Sequence, residues 1–554
     1  MNLLKRIFKK LVKTLESISM ILSKLYRLIY KKENPPKVKA LLKSLENWEE
    51  NYETKKYENA QESELSRIVS MQKNKDIDDL LKLWRKKISQ EYFELPHPEH
   101  PNVTTKAVYN IQEGMANYIL MLDKDNLHPW IAVQSVYMID IAIVENKIFD
   151  MSPFKNKTIL PNISKLSTLD TDLRYSDKKF GILLNQKRPY HFFYDQLKFL
   201  YFLKEDRLDI HQKGAFFRIK HPSVNTTKPK KREVFLFPTA IENNTLDQSN
   251  NITVKRLNET MEKRVHEDAM RGYTPVAPTD NRLKVWYGIT GQKRSWLEQV
   301  DGCIEIVAQL LKHFKNIELI VDGMTATEGE ILNNREDESV LKEIESRIDK
   351  RCRVESLIGQ DYRTKIRSCS SIDLFIANAG TGCMVPLRFC KKPGVLHSNS
   401  KLFTFTDDYP KTVKVFDEKY VVDIYDEKRP RVDFASYHIP WQHIFNLTAE
   451  VVNLTKGMNI KTLKVPSPDN RVQEDNKRDE EHSIFEDIEK RMKPTYESPD
   501  ILREVALSFE ESGDIKTALA IMQQAQTMRP TGTLINKKVE EYKKLTESDG
   551  ALRE

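Results

Sequence analysis

Glycine, paired cysteines and long apolar runs are all scarce in this 554-residue sequence, and each shortage excludes a class of protein. Only 17 residues are glycine, which excludes collagen-like, glycine-linker and β-helix architectures. The five cysteines form no Cys-x-x-Cys pair and have no histidine pairing, so neither a disulfide framework nor a zinc site is predicted. No run of about 18 apolar residues occurs, so no transmembrane helix is predicted.

Charge of one sign is also limited. Lys plus Arg number 89 against 81 Asp plus Glu, a net charge of +8, and the basic residues are interspersed with acids. A dedicated nucleic-acid binder would carry a denser basic surface, whereas an anionic membrane surface or a phosphate-bearing ligand fits a mild excess. At 554 residues the chain is several times longer than one compact domain, so three or four structural units are expected. Its aromatic residues (23 Phe, 21 Tyr and 6 Trp) are enough to build a sizeable core.

The first 34 residues have the pattern of one basic amphipathic helix. Apolar residues recur in alternating steps of four and three from Leu4 to Ile29, lysines and arginines occupy the other faces, and Pro35-Pro36 ends the pattern. Such a helix can lie in the headgroup layer of an anionic leaflet. We therefore expect residues 1–33 to attach the protein to the inner face of the cell membrane, as a peripheral cytoplasmic protein. Self-association and packing on the protein's own helices are the alternatives.

Composition divides the middle of the chain into four further regions. Residues 35–95 are highly charged and predict a helical region. Residues 96–275 place short apolar runs such as IAVQSVYMIDIAIV and REVFLFPTA between helical stretches, which predicts an N-terminal α/β domain. A second α/β domain is predicted over 280–460, and the charged, proline-flanked stretch 461–496 is predicted to be a linker.

The second α/β domain has the clearest pattern in the chain. Its segments, in order, are the strand LKVWYGIT, the helix SWLEQVDGCIEIVAQLLKHF, the strand IELIVDG, the helix VLKEIESRIDK, the strand CRVESLIG, the helix DYRTKIRSCS, the strand SIDLFIAN, the turn AGTG, the helix CMVPLRFCKK and the strand PGVLHSN. Strands that alternate with amphipathic helices form parallel βαβ units, so this domain is predicted to be Rossmann-like.

The two α/β domains share a local sequence. Residues 180–197 read FGILLNQKRPYHFFYDQL and residues 285–300 read VWYGITGQKRSWLEQV. Each combines a Gly-Ile strand, a Gln-Lys-Arg turn and a helix start with aromatic residues, with a gap of one residue between the two. If the match is not chance, the protein contains two similar Rossmann-like halves that face each other.

The end of the chain matches a helical-repeat pattern. In the 34-residue tetratricopeptide register, Ala506, Ala518, Ala525 and Pro530 fall at the expected positions. Residues 497–548 therefore resemble one tetratricopeptide (TPR) helix pair with a capping helix. A single repeat cannot bury its apolar face alone, so we expect it to pack on the rest of the chain or on a protein partner.

Two turns of the second domain fall at the carboxyl ends of predicted strands, where parallel sheets bind ligands. The turn 291–295 (GQKRS) places two cations beside a helix start, which suits a diphosphate. The turn 378–382 (NAGTG) lets a phosphate approach backbone amides. Neither turn is a Walker A loop or a GxGxxG fingerprint, which disfavours NTP hydrolysis and dinucleotide redox chemistry. Tight structural turns with solvated cations are the alternative.

Together, two α/β halves, the GQKRS turn and DLFIANAGTG followed by a helix and the strand KKPGVLH resemble GT-B-fold glycosyltransferases of bacterial capsule and lipopolysaccharide assembly. The likeness covers about 120 residues. It implies two Rossmann-like domains and a donor nucleotide-sugar bound on the second domain without a metal or other cofactor. The chain departs from one large group of this fold, because the E-x7-E motif of that group is not found in the segment that carries the likeness, DLFIANAGTG to KKPGVLH.

The resemblance implies roles for individual residues. Lys293 and Arg294 would neutralise the donor diphosphate, and the 380–382 turn would donate hydrogen bonds to it. His191, with Asp195 one helical turn later, is the candidate base on the acceptor side, because a histidine can accept a hydroxyl proton near neutral pH. A structural histidine is the alternative for His191. The full set of predicted donor-binding residues is Gly291, Gln292, Lys293, Arg294, Asp322, Gly380, Thr381, Gly382, His397 and Ser398.

The sequence thus predicts a glycosyltransferase that acts on a lipid-linked or growing polysaccharide acceptor at the membrane face. Its expected partners are a nucleotide-sugar, a glycan or glycolipid acceptor and the membrane surface, with no nucleic acid. Two alternatives remain: a nucleotide-sugar epimerase or hydrolase of the same fold, and a non-catalytic assembly protein with a degenerate Rossmann domain. A scaffold has no need of two phosphate-type turns at corresponding strand ends.

Overall fold

The structure is a computed structural model. It describes residues 34–58, 62–153, 160, 162–168, 173–203, 209–219, 233–242, 252–274, 282–291, 294–400, 409–425, 434–466 and parts of 499–551. The predicted amphipathic helix and most of the predicted linker lie outside these residues. The chain divides into two compact units, one ending at Val465 and one beginning at Pro466. Within the described ranges, no helix combines the length and the apolar character needed to span a lipid bilayer.

Eighteen strands occur in the described part of the chain. They are β1 (Glu53–Lys56), β2 (Glu94–Pro96), β3 (Thr104–Glu113), β4 (Ala116–Leu122), β5 (Trp130–Gln134), β6 (Ile141–Val144), β7 (Lys147–Asp150), β8 (Phe180–Leu183), β9 (Ile210–His211), β10 (Val234–Leu236), β11 (Arg282–Gly288), β12 (Asn316–Asp322), β13 (Cys352–Ser356), β14 (Leu374–Asn378), β15 (Gly394–His397), β16 (Val413–Val415), β17 (Val422–Ile424) and β18 (Ser436–His438).

The principal helices of the first unit are α1 (Pro36–Ser44), α2 (Trp48–Asn51), α3 (Glu64–Asn74), α4 (Ile77–Ser89), α5, α6 (Ile252–Met270), α7 (Gln299–Leu310), α8 (Arg335–Arg347), α9 (Tyr362–Cys369), α10 and α11 (Trp441–Lys456). Two of them contain π turns. Helix α5 runs without a break through Pro189–His191, the π turns Phe192–Leu197 and Lys198–Leu203. Helix α10 is the 3-10 turn Thr381–Cys383 followed by the π turns Met384–Phe389.

The first sheet corrects the prediction of a Rossmann-like N-terminal domain. Its order is β1-β7-β6-β5-β4-β3-β2, and every pair in it is antiparallel except β1 with β7. The run IAVQSVYMIDIAIV is two antiparallel strands, β5 and β6, rather than one buried parallel strand. Helices and loops cover both faces of this sheet, and all seven residues of β4 are buried. Strands buried on both faces lose the alternation that distinguishes an antiparallel sheet.

The predicted helical region 35–95 also needs correction, because it contains the strand β1. All four side chains of β1 are exposed, and the strand joins the edge of the sheet through its backbone alone. A strand with no buried side chain leaves no apolar pattern in the sequence.

A small parallel sheet follows, in the order β10-β8-β9. Its central strand β8 leads through the loop 184–188 into helix α5. This small sheet matches the α/β prediction for the first domain, because its strands are parallel and β8 is followed by a helix.

The second domain contains a six-stranded, fully parallel sheet in the order β13-β12-β11-β14-β15-β16. This is the order 3-2-1-4-5-6 of a doubly wound Rossmann sheet. The five predicted strands of this domain are confirmed, and β16 was not predicted. Because the strand order reverses between β11 and β14, the loops that follow these two strands open onto one crevice.

The two domains share one apolar core. The ring of Phe193 in α5 lies 4.8 Å from that of Tyr362 in α9 and 4.9 Å from that of Phe389 in α10. Beside this contact, the fully buried carboxylate of Glu262 in α6 binds Arg388 Nε at 2.7 Å and Lys391 Nζ at 2.6 Å. The interface therefore combines aromatic packing with an ion network centred on the buried Glu262.

The second unit contains the helices α12 (Ile515–Met528) and α13 (Thr533–Ala551). Ala506, Ala518 and Ala525 are fully buried in its core, and Tyr542 Oη donates to Glu510 Oε2 at 2.6 Å. Pro530 lies outside the described residues. The tetratricopeptide assignment stays a prediction.

The buried carboxylate generates the first test. We expect Glu262→Gln to lower the free energy of unfolding by about 3 kcal/mol, because it removes the buried negative charge that binds Arg388 and Lys391. The exposed acid on the same helix, changed in Glu259→Gln, serves as the matched control and should shift stability by less than about 0.5 kcal/mol. Chemical denaturation of the full chain measures both values. Equal stability of the two variants would show that the ion network does not hold the interface.

Candidate functional site

One carboxylate holds together the loops that follow β11 and β12. Asp337, in the first turn of α8, accepts from the backbone N–H of Gly291 at 2.8 Å and from that of Met324 at 2.7 Å. Gly291 packs so closely on this helix that a Cβ there would lie 2.7 Å from the Cβ of Glu336. Gly291 is thus required by packing against α8, and its predicted role in donor binding stays a prediction.

The guanidinium of Arg294 reaches the turn after β14. A Cβ on Gly380 would lie 3.3 Å from Arg294 Nη1, so the lack of a side chain at Gly380 makes room for this cation. Arg294 itself has a φ of 51°, in the left-handed region that a residue other than glycine rarely adopts. Two other residues of this predicted diphosphate-binding turn, Gln292 and Lys293, lie outside the described residues.

The turn after β14 is open at its tip. Thr381 is exposed, and a Cβ added to Gly382 would meet no atom within 4 Å. Gly380 is buried, and its N–H donates to Asn378 O at 2.8 Å. The structure therefore brings a cation, a small-residue turn and an exposed hydroxyl to the adjacent ends of β11 and β14.

A chain of hydrogen bonds fixes the tautomer of His397 at the end of β15. Asn378 Nδ2 donates to Tyr437 Oη at 2.7 Å, so the hydroxyl proton is left to donate to His397 Nδ1 at 2.8 Å. His397 is 2% exposed, and burial lowers its pKa to about 3. The ring is then neutral with its proton on Nε2, and this buried N–H has no partner among the described residues. It is a buried donor at the end of β15, next to the turn after β14.

Two other predicted donor-binding residues are less accessible than expected. Ser398 is buried. Asp322 pairs with Lys365 Nζ at 2.6 Å, and the same ammonium donates to the carbonyl oxygens of Gly323 and Met324. Burial raises the pKa of Asp322 to about 6, and Lys365 opposes that shift. Asp322 therefore anchors the loop after β12 through Lys365, and its role in donor binding stays a prediction.

Sequence reasoning missed Asp337, Lys365 and Tyr437. Each acts on a loop through a hydrogen bond or ion pair to a residue that lies 13 or more positions away in the chain. No local pattern marks such a partner.

The predicted base and its neighbour are in contact. His191 Nδ1 lies 2.6 Å from Asp195 Oδ2, and the carboxylate is buried while the ring is about a quarter exposed. With Nδ1–H donated to the carboxylate, the lone pair of Nε2 is free to accept a proton, as in other His–Asp pairs. The π turns of α5 begin at the next residue, Phe192, and π turns recur at functional sites.

A cavity of about 690 Å³ lies elsewhere, on the antiparallel sheet. Among its lining residues are His97, His100 and His128, whose rings lie 4.9–5.8 Å apart. His97 Nδ1 accepts from two backbone amides, so its Nε2 carries the proton and cannot ligate a metal. No group of three histidine, cysteine or acidic side chains in the described ranges could hold a metal ion.

No protein family matches this chain, and no curated protein is significantly similar to it. Among solved structures it is similar to the E. coli ADP-heptose lipopolysaccharide heptosyltransferase II, a glycosyltransferase, at 12% identity and a TM-score of 0.21 over 35% of this chain and 50% of that one. The chain thus spans half the length of that enzyme. It is also similar to a crystal structure of TarM, at 10% identity and a TM-score of 0.19 over 77% and 90% of the two chains.

A third similar structure is a point mutant of S. aureus TarM in complex with Fondaparinux, alpha-GlcNAc-glycerol and UDP, at 12% identity and a TM-score of 0.15. It covers 68% of this chain and 87% of the other. Identities and TM-scores this low assign neither a fold nor an activity to this chain.

The buried, neutral His397 predicts a pH dependence of stability. Its folded pKa of about 3 lies below the unfolded value of about 6.5, so the unfolded chain alone takes up this proton as the pH falls from 7 to 5. That uptake costs the native state about 2 kcal/mol. We expect His397→Gln to lose less stability than the wild type over this interval, by about that amount. Chemical denaturation at the two pH values tests this, with the exposed His313→Gln as the control. Identical losses in wild type and His397→Gln would mean that His397 is protonated in the folded protein.

Proposed function

We propose that the chain is a glycosyltransferase that moves a sugar from a nucleotide-sugar to a hydroxyl of a glycan or glycolipid acceptor. The observation that carries the proposal is the convergence of Arg294, the Gly380–Gly382 turn and the orphan Nε2–H of His397 at adjacent strand ends of a Rossmann-type sheet. A cation, an open backbone turn and a neutral donor are suited to the diphosphate and the sugar or base of such a donor.

In this proposal, the first domain binds the acceptor and supplies the base. Helix α5 carries His191 in its first turn and touches α10 through Phe193 and Phe389, and α10 begins at Thr381 in the open turn. In the proposed reaction, an acceptor hydroxyl attacks the anomeric carbon of the donor sugar. The bond between that carbon and the diphosphate oxygen breaks, His191 Nε2 takes the hydroxyl proton, and Arg294 neutralises the departing diphosphate. Asp195 orients the ring and stabilises its protonated form.

Nothing in this scheme needs the second unit. We propose that the TPR-like helices contact a protein partner and that the basic residues 1–33 hold the enzyme at the membrane face, where a lipid-linked acceptor would be found. The same features favour a transferase over an epimerase or hydrolase, which would need neither.

Nucleotide binding is the first test of the proposal. We expect one of UDP, GDP, CMP, ADP and dTDP to raise the melting temperature of the full chain, with or without Mg²⁺, because a ligand that binds only the folded state stabilises it by mass action. Arg294→Gln should reduce that shift, whereas Arg353→Gln, which removes an exposed arginine of β13, should keep it. If no nucleotide stabilises the chain, the scaffold alternative gains support over the enzyme.

The His–Asp pair is tested by kinetics. We expect His191→Gln to lower kcat by about a hundredfold or more, with little change in the KM of the donor, because a general base contributes on the order of 10²–10⁴ to the rate. Asp195→Asn should lower kcat as well, by leaving the ring in the wrong tautomer. Release of nucleoside diphosphate from the stabilising donor measures both, and His313→Gln is the control. Wild-type kcat in His191→Gln would assign the histidine a structural role.

A further inference from the structure

The small parallel sheet of the first domain carries a second cluster of cations. Strands β8 and β9 are parallel neighbours, so the loops that follow them, 184–188 and 212–214, open at the same edge. Lys187 and Arg188 in the first loop and Lys213 in the second are all exposed. Within the described ranges, no acidic side chain forms an ion pair with any of the three.

The Lys187 side chain reaches the second loop. A Cβ on Gly214 would lie 3.7 Å from Lys187 Nζ, so the ammonium of one loop rests beside the backbone of the other, next to Lys213. Many other lysines and arginines in the structure have an acidic partner. Like charges gathered without counter-charges repel one another, and an anion that binds among them removes the repulsion.

A buried amide at the base of the first loop points to the same conclusion. Gln196 in α5 is fully buried, and its Oε1 accepts from the backbone N–H of Gln186 at 3.3 Å. This contact holds the carboxamide against the loop. Its Nε2 has no hydrogen-bond partner among the described residues, although an unpaired buried N–H is costly. The side-chain amide of Gln196 is therefore an unpaired hydrogen-bond donor beside the loop that carries Lys187 and Arg188.

The sequence of the loop matches that of the proposed donor turn. Gln186-Lys187-Arg188 follows β8, the central strand of its sheet, and the Gln-Lys-Arg of residues 292–294 follows β11, which lies between β12 and β14. Each loop leads toward a helix. In the sequence, the same three residues thus follow a parallel strand in each domain, which favours the same ligand chemistry for both.

We propose that the loops 184–188 and 212–214 bind a phosphate group of the acceptor. The inference rests on the proposed function and names its acceptor class: a phosphate-bearing glycan or a polyprenyl-phosphate-linked glycan. Arg188 offers a bidentate fork to the phosphate, Lys187 and Lys213 add charge, and Gln196 Nε2 donates from below. Because Arg188 precedes His191 by three residues, a phosphate held here places the adjoining hydroxyl beside the His–Asp pair.

The test compares two sets of three substitutions in the full chain. The first set is Lys187→Gln, Arg188→Gln and Lys213→Gln. The charge-matched control is Lys312→Gln, Lys315→Gln and Lys342→Gln, at exposed positions of the second domain. Inorganic tripolyphosphate is the probe, and its affinity is measured by calorimetry with the donor site saturated by the stabilising nucleotide. We expect the first set to weaken binding about tenfold or more and the control set to leave it within about twofold.

A vesicle-binding experiment distinguishes a polyprenyl phosphate from a phosphate within the glycan. Phosphatidylcholine vesicles that carry a polyprenyl monophosphate are compared with vesicles of equal charge that carry phosphatidylglycerol, since residues 1–33 would bind both. A preference for polyprenyl phosphate that the first set of substitutions abolishes supports a lipid-linked acceptor. A loss of tripolyphosphate affinity without such a preference supports a phosphate within the glycan.

The inference is overturned if the first set binds tripolyphosphate as tightly as the wild type, or if the control set loses as much affinity. Its failure is distinct from failure of the proposed function, because the nucleotide response depends on Arg294 and the second domain. A chain that still responds to nucleotide but shows no phosphate defect would remain a candidate glycosyltransferase with an uncharged acceptor.

Discussion

The seating of Phe193 between Tyr362 and Phe389 is the contact on which the geometry of the whole site depends. It joins the helix that carries the His–Asp pair to the helix that begins with the open glycine turn. The apolar core runs through this contact into both domains, so separation of the domains would expose aromatic surface to water. It would also break the ion pair between the buried Glu262 and Arg388. The relative position of the two helices is thus set by packing in the unliganded chain, and the proposed base and donor turn would be placed before a substrate binds.

Within the second domain, buried carboxylates have structural roles that leave the ligand-facing groups available. Asp337 and the Asp322–Lys365 pair hold the loops after β11 and β12 through backbone N–H and C=O groups. The carboxylates are therefore committed to the scaffold, and they do not place negative charge at the open turn where a diphosphate would bind. Arg294, in its left-handed backbone conformation, is the charge that the loop presents instead.

The sequence predicted the second domain better than the first for a physical reason. Alternating buried strands and amphipathic helices have one simple solution, a parallel sheet, whereas strands buried on both faces can pair in either direction. In the site, the pair His191 and Asp195 was within reach of sequence reasoning, because residues four apart meet on one helix face. The role of Tyr437 was not, because it reaches His397 and Asn378 across 40 or more residues.

The proposed cation clusters of the two domains would reduce the electrostatic repulsion between a donor and an acceptor that both carry phosphate. A nucleotide-sugar is a dianion or more at its diphosphate, and an acceptor that also carries phosphate is repelled by it over distances shorter than the Debye length of about 8 Å. If separate cations neutralise the donor diphosphate and the acceptor phosphate, the two substrates can approach each other without strong repulsion. In the proposed reaction, Arg294 would neutralise the donor, and Lys187, Arg188 and Lys213 would neutralise the acceptor, with one set of cations on each domain. Because the two domains share one apolar core, the two sets would keep their separation before either substrate binds.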